Sequence, residues 1–150
     1  MNRFKPRHGL LLAALYAAAC TRGQTPQQLT ITAVDGMFLL PGSAAPGPTL
    51  IRFVNNGTKT HEVRLFRFKT EIGEDSARAL LRLNRFADSL ADSTGAALIA
   101  AAHSIATQQV LANLKPNEIY GLVCALRDST NAPRHDRLKE FAVLPVRDRR

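Results

Sequence analysis

The feature that most constrains the fold is a series of short segments in which apolar and polar residues alternate, separated by turn-forming residues. Residues 29–34 and 60–68 alternate in this way, which is typical of half-buried strands. The turn at 55–57 is Asn-Asn-Gly, and these residues tolerate the backbone angles that a tight turn needs. Six or seven such strands predict a mainly all-β fold, a Greek-key β-sandwich. Further segments of strand character are 37–40, 49–55, 109–114, 119–126 and 139–146.

One stretch, at about 75–106, predicts a helical insertion between the strands. In its first half, apolar residues recur at helical spacing opposite arginines, and we expect this apolar stripe to pack against the sheet. Asp75 or Ser76 would cap the helix. The second half, 96–106, is rich in alanine and predicts another short helix with an exposed His103. The residues of the stripe are Leu80, Leu83, Ala87 and Leu90, with Phe86 beside them.

The N-terminus has the pattern of an export signal. Three basic residues within 1–7 precede an apolar run at 10–19. This run is shorter than the ~20 residues of a membrane-spanning helix, but its length suits a signal peptide. It ends in Ala17-Ala18-Ala19-Cys20, which resembles the lipobox of bacterial lipoproteins, where the cysteine is acylated and becomes the first residue. A plain Ala-x-Ala cleavage site, with ordinary secretion, is the alternative.

The predicted organisation follows from this leader. Residues 1–19 form the signal peptide, 20–28 a tether, 29–146 the folded domain and 147–150 a basic tail. The cysteine is followed by Thr21 rather than by an acidic residue, which favours the outer membrane as the destination. We therefore expect an exported, lipid-anchored protein on the periplasmic face of a membrane.

Charge and motifs exclude several function classes. The whole chain carries a formal net charge of +8, and removal of the three basic residues of the leader lowers it to about +5. Nucleic acid is a poor partner for an exported protein, so we assign the basic tail to a solvated chain end. The chain has neither a glycine-rich phosphate loop nor paired carboxylates, and no small-molecule substrate is evident.

The cysteine count draws attention to Cys124. If Cys20 carries lipid, Cys124 is the one remaining thiol, although exported domains usually pair their cysteines. Such a thiol can be a metal ligand, a reactive group, an intermolecular bridge or a buried small hydrophobe. The strand that precedes it is apolar on both faces and therefore internal. A catalytic nucleophile has to be reachable, so we do not expect an enzyme.

Two histidines accompany this thiol. In strand 60–68, His61 shares a face with Val63 and Leu65, whereas the face of Glu62 and Arg64 is expected to meet water. His61 thus points inward at a strand end. His135 lies in the loop after Cys124, and two imidazoles with one thiolate at one end of a sandwich form the His₂Cys set of blue copper sites.

The order of these elements resembles the cupredoxins, relatives of plastocyanin and azurin. The resemblance implies that His61, Cys124 and His135 bind copper and that the hydroxyl of Tyr120 ties a turn to the barrel. It also implies one-electron transfer or copper handling, with a redox or copper-handling protein as partner. The most specific segment is Leu-x-Pro-x-x-x-Tyr-x-x-x-Cys at 114–124. The other matching segments are 29–38, 49–63, 133–135 and 140–143.

One departure keeps a second function open. The family usually has Gly-Met shortly after the second histidine, where the methionine is a weak axial ligand, but this chain has Asp-Arg-Leu-Lys at 136–139. Met37 lies in a predicted strand, and we expect it in the core. The alternative is therefore a metal-free interaction module that uses the helical insertion as its contact surface.

Overall fold

The structure, a computed structural model, describes residues 25–69, 72–83 and 91–148. They form two β-sheets and one short α-helix, so the predicted mainly-β sandwich is confirmed. Strands occur at each predicted alternating segment. In chain order the elements are β1 (Gln27–Val34), β2 (Met37–Leu39), β3 (Gly47–Asn55), β4 (His61–Phe68), α1 (Glu74–Arg82), β5 (Ala91–Ala100), β6 (Ser104–Ile105), β7 (Val110–Leu114), β8 (Ile119–Val123), a 3-10 helix (His135–Leu138) and β9 (Phe141–Pro145).

The two sheets have different pairing. The first has the order β2-β1-β3-β6, with β1 and β3 parallel, and β7 also pairs with β3. β6 pairs with the last residues of β3 and β7 with its first residues, so together they form one interrupted edge. The second sheet, β5-β4-β8-β9, is antiparallel throughout. β8 lies between β4 and β9, which confirms that this strand is internal.

The main core lies between the sheets. Alternate residues of β1 and β3 face alternate residues of β4 and β8, as the period of two predicts. Burying this apolar surface is the main favourable contribution to folding. Its largest fully buried apolar members are Ile31, Ile51, Phe53, Leu114, Leu122 and Leu144.

Helix α1 covers the outer face of the second sheet. Ala77 and Leu81, one helical turn apart, are buried against an apolar cluster that includes Phe66 and Phe68. The expected packing against the sheet is thus confirmed, but the predicted stripe is only partly right, because Leu83 is 63% exposed. The prediction of a side-chain cap was wrong: the helix starts after Gly73, and no side chain caps it. Phe86, Ala87 and Leu90 lie outside the described residues.

The second half of the predicted helical insertion is a strand. In β5, Ala96, Leu98 and Ala100 are buried, whereas Ala97 and Ile99 are exposed, which is the period of a strand. Pairing with β4 outweighs the helix propensity of alanine. His103 is exposed as expected, but it lies in a turn with φ of 52° and not in a helix.

The predicted leader and Cys20 lie outside the described residues. β1 begins at Gln27, two residues inside the segment assigned to the tether. In the part of the chain that the structure describes, no helix is long and apolar enough to cross a membrane.

Candidate metal centre

The three residues proposed as ligands lie together at one end of the sandwich. His61 is the first residue of β4, Cys124 follows β8, and His135 begins the 3-10 helix. A fourth residue, Glu140, precedes β9 and joins them. All four are buried, with 0–4% exposure, and one potential ligand atom from each lies within 4.8 Å of the others.

Strand pairing positions the thiol. Val123 of β8 pairs with Phe141 of β9, which places Cys124 beside Glu140, and the Cys124 N–H donates to the Glu140 carbonyl over 3.2 Å. From the other neighbouring strand, the Glu62 N–H donates to the Cys124 sulfur over 3.3 Å. The sulfur is therefore fixed by the backbone of two strands.

The loop after Cys124 returns His135 to the thiol. Ten residues separate them. The loop folds back on itself because the His135 N–H donates to the Leu126 carbonyl over 2.9 Å and the Asp136 N–H donates to the Cys124 carbonyl over 2.8 Å. As a result, His135 Nδ1 lies 3.4 Å from Cys124 Sγ.

Each imidazole contacts an aspartate on its outer side. His61 Nε2 lies 3.0 Å from Asp35 Oδ1, and His135 Nε2 lies 2.9 Å from Asp128 Oδ1. A carboxylate at Nε2 favours the tautomer with its proton there, which leaves a lone pair on Nδ1. In both rings Nδ1 faces the interior of the cluster, since it lies 2.6 Å from a Glu140 oxygen in His61 and 3.4 Å from one in His135.

The two aspartates are held as anions by other groups. Thr58 donates to Asp35 from its hydroxyl and its N–H, and these bonds together with His61 hold the pKa of Asp35 well below its usual range. The ammonium of Lys59 and then His135 lower the pKa of Asp128. Both carboxylates are therefore charged at neutral pH and able to accept an imidazole proton.

Gly57 permits the contact between His61 and Asp35. A Cβ atom at this position would lie 2.5 Å from Asp35 Oδ1 and 2.9 Å from His61 Nε2. Both distances are far below an ordinary van der Waals contact. Gly57, which the sequence predicts in a turn, thus has a second role: it leaves space for Asp35, which orients His61.

The inner groups hold their protons at neutral pH when no cation is present. Burial raises the pKa of the Cys124 thiol to about 11. Burial also raises the pKa of Glu140 to about 8, and the nearby Asp35, Asp128 and Asp136 add to this effect. Burial thus disfavours the anionic forms of both groups, and both are neutral at pH 7 unless a cation offsets their charge.

Two inner atoms have no hydrogen bond. His61 Nδ1 and Glu140 Oε1 are only 2.6 Å apart, but their geometry is not that of a hydrogen bond, and neither has another partner among the described residues. Two buried acceptors that face one another are costly unless a proton or a cation lies between them. The donor set of two imidazole nitrogens, a sulfur and a carboxylate oxygen fits a transition-metal ion.

A small cavity connects the cluster to the surface. Its volume is about 60 Å³, and Lys59 and Leu138 are among its lining residues together with both histidines and Glu140. Larger clefts of about 370–400 Å³ lie elsewhere and contain none of the four donors. The small cavity is the one that belongs to the cluster, because three of the four donors line it.

Two sequence expectations about burial need correction, those for Glu62 and Met37. Glu62 does not face water: it is 2% exposed and accepts a hydrogen bond from Arg64, whose own side chain is 57% exposed. Met37 lies in β2 as expected, but it is 51% exposed and not in the core.

Tyr120 lies at the opposite end of β8, where its hydroxyl accepts from the Lys115 N–H over 3.1 Å.

Sequence reasoning missed Glu140, Asp35 and Asp128. Glu140 stands five residues after His135, immediately before the last strand, and that position was a usable signal. The aspartates gave a weaker signal, because an acidic residue in a turn is most often simply solvated.

Comparisons with known proteins give similarities in structure only. No family model and no curated protein matches the sequence. A dithionite-reduced auracyanin from Roseiflexus castenholzii is 12% identical over 82% of this chain and 98% of its own, with a TM-score of 0.49. Auracyanin A from Chloroflexus aurantiacus, a "blue" copper protein, is 19% identical over 81% and 99%, with a TM-score of 0.47. An azurin from Methylomonas sp. strain J is 12% identical over 84% and 100%, with a TM-score of 0.45.

Proposed function

We propose that this protein binds copper in a cupredoxin-like sandwich and uses it for one-electron transfer or copper handling. His61, Cys124 and His135 supply the two imidazoles and the thiolate. The observation that carries the proposal is the orientation of the two rings. Each contacts an aspartate at Nε2 and turns Nδ1 towards the thiol and Glu140, as metal-ligating histidines do.

The chemistry of the donors suits copper. Thiolate sulfur is a soft ligand that donates strongly, and imidazole binds copper in both oxidation states. The ligands are anchored to paired strands and to a hydrogen-bonded loop, which limits their movement when the ion changes charge. Nothing is bonded to a substrate in such a function, so the protein is proposed as a carrier and not as an enzyme.

The fold supports a cupredoxin-like arrangement. β1 runs parallel to β3 in one sheet, the other sheet is antiparallel, and the ligands come from the start of β4 and from the β8–β9 connection. The ligands therefore follow one another along the chain in the same order as the matching sequence segments. Copper is thus proposed at the end of the sandwich where β1 finishes.

We further propose that the protein is exported and lipid-anchored through Cys20, with the outer membrane favoured. β1 begins at Gln27, close to the expected anchor, and ends beside Asp35, which contacts His61. Eight residues of strand span roughly 26 Å. The copper centre would therefore lie at the end away from the membrane, accessible to a redox or copper-handling partner.

The test is a titration of the purified protein with Cu(II), followed by visible absorption and EPR. We expect one copper per chain and an intense thiolate-to-copper band. Cys124→Ser is the matched control, because it keeps the size of the side chain and should abolish the band. If the wild-type protein stays colourless and binds no copper, the metal-free interaction module becomes the better hypothesis.

A further inference from the structure

We propose that Glu140 is a fourth ligand of this centre and that its carboxylate makes the site selective for divalent over monovalent copper. This inference rests on the proposed copper function and narrows it. In this inference, the centre holds copper as Cu(II) and does not exchange readily between the two oxidation states.

The position of Glu140 is that of a ligand. Its side chain is 1% exposed, and its two oxygens lie 2.6 Å from His61 Nδ1 and 3.4 Å from His135 Nδ1. One of its oxygens also lies within 4.8 Å of the Cys124 sulfur. Each of its contacts is thus to a group proposed to bind the ion.

When Glu140 is ionised, its buried carboxylate needs a positive partner. The ion-pair contacts of Glu140 are to two imidazoles whose other nitrogens already face aspartates. Its Oε1 has no hydrogen bond among the described residues. Buried charges in proteins are paired or coordinate metals, and here a metal satisfies the oxygen, both Nδ1 atoms and the sulfur together.

Charge favours the divalent ion. Two carboxylates besides Glu140 adjoin the donors: Asp35 Oδ1 lies 3.0 Å from His61 Nε2, and Asp128 Oδ1 lies 2.9 Å from His135 Nε2. Lys59 is the cation that lines the cavity, and it pairs with Asp128. With Glu140 and the thiolate as ligands, acidic groups therefore outnumber this cation around the ion. A divalent cation gains about twice as much as a monovalent one from the resulting negative potential. A copper site with a neutral thioether in the fourth position lacks the contribution of this carboxylate.

Ligand hardness acts in the same direction. Carboxylate oxygen is a hard ligand that suits divalent ions, whereas thioether sulfur is soft and suits Cu(I). Replacing the oxygen by a thioether should therefore stabilise the reduced ion. Glu140→Met makes this change, and Glu140→Gln removes the charge while keeping nearly the same shape.

The experiment is a redox titration of the copper-loaded wild-type protein and three variants: Glu140→Met, Glu140→Gln and Glu62→Gln. Competition with Cu(I) and Cu(II) chelators then gives the affinity for each ion. Glu62 is the matched control, because it is also a buried acid beside Cys124 but lies outside the donor set. We expect both Glu140 variants to gain at least tenfold in relative preference for Cu(I), an increase in reduction potential of about 59 mV or more.

The outcomes separate the two proposals. If the wild type shows no thiolate-to-copper band, the proposed function and this inference both fail. If the band is present but the Glu140 variants keep the wild-type potential and EPR spectrum, this inference alone fails. An equal shift in Glu62→Gln and Glu140→Gln also overturns it, since the effect would then come from charge and not from ligation. If one Glu140 variant does not fold, the other takes its place. A further measurement needs no variant: the EPR spectrum of the copper-loaded wild type is recorded in ¹⁷O-labelled water. Broadening by a water oxygen bound in place of Glu140 would overturn the inference.

Discussion

The polar groups at the two ends of strand β8 differ in whether they have hydrogen-bond partners. At the Tyr120 end, the tyrosine hydroxyl bonds to Lys115 and Glu118, and Arg67 pairs with Glu118 and Asp92 near the surface. At the donor end, where Cys124 follows the strand, buried nitrogen and oxygen atoms face one another without hydrogen bonds. At the Tyr120 end, the polar groups find their partners within the chain. At the donor end, the facing acceptors need either a proton on Glu140 or a bound cation between them.

The largest expected effect is stabilisation by copper at the donor end alone. Ligand at a thousand times its dissociation constant adds about 4 kcal/mol to the free energy of unfolding. We expect this gain in the wild type and equally in Tyr120→Phe, measured by chemical denaturation with and without Cu(II). Cys124→Ser should gain far less. A full gain in Cys124→Ser would show that copper stabilises the fold from somewhere else.

The second effect is a pH dependence of the metal-free protein. The pKa of Glu140 is about 8 in the fold against an ordinary value of 4.5, so between these values the folded state binds more protons than the unfolded state. The free energy of unfolding should therefore decrease as pH rises from about 5 to 8, by up to about 1.4 kcal/mol per pH unit. This decrease in the free energy of unfolding is absent below pH 4.5 and complete above pH 8.

Denaturation of chelator-treated protein across this pH range measures the slope. Glu140→Gln should flatten it, because the amide does not titrate. Tyr120→Phe, at the other end of β8, is the control and should keep the wild-type slope, because a tyrosine does not titrate in this pH range. Equal slopes in the wild type and Glu140→Gln would assign the pH dependence to other groups.

The third effect concerns the support of His61. Gly57→Ala places a methyl group against Asp35 and His61, so one of them must move. Loss of such a supporting carboxylate typically reduces metal affinity by 10- to 100-fold, and we expect a reduction of this size in a chelator competition. Gly42→Ala is the control, since a Cβ there meets nothing within 4 Å. Equal copper affinities in the two variants would argue that Asp35 does not orient the histidine.

The same contrast explains what the sequence could predict. Strands β1 and β3 could be predicted from alternation, because each buries one face in the core. The alternation expected of β4 gave the inward direction of His61 but not the burial of Glu62. β5 was misread because its buried positions are mostly alanine, a helix former whose small side chain gives a weak alternating signal. Local pattern cannot show that pairing with β4 decides the outcome.

The donor end was only half predictable for a related reason. His61, Cys124 and His135 are residue types that attract attention at any position in a sequence. Glu140 and Asp128 are ordinary acids, and only the close approach of the loop after Cys124 to β9 gives them a role. Their burial and partners depend on residues far apart in the chain, which no local window contains.

The smallest expected effect is at the Tyr120 end. Tyr120→Phe removes the hydroxyl that accepts from the Lys115 N–H and contacts Glu118, while the ring stays in the core. Loss of one such hydrogen bond costs about 1 kcal/mol, which denaturation of the metal-free protein should detect. Copper affinity and reduction potential should stay at their wild-type values, because the strand separates this hydroxyl from the donors. A tenfold loss of copper affinity in Tyr120→Phe would show instead that β8 transmits strain between its ends, and that the two ends form one cooperative unit.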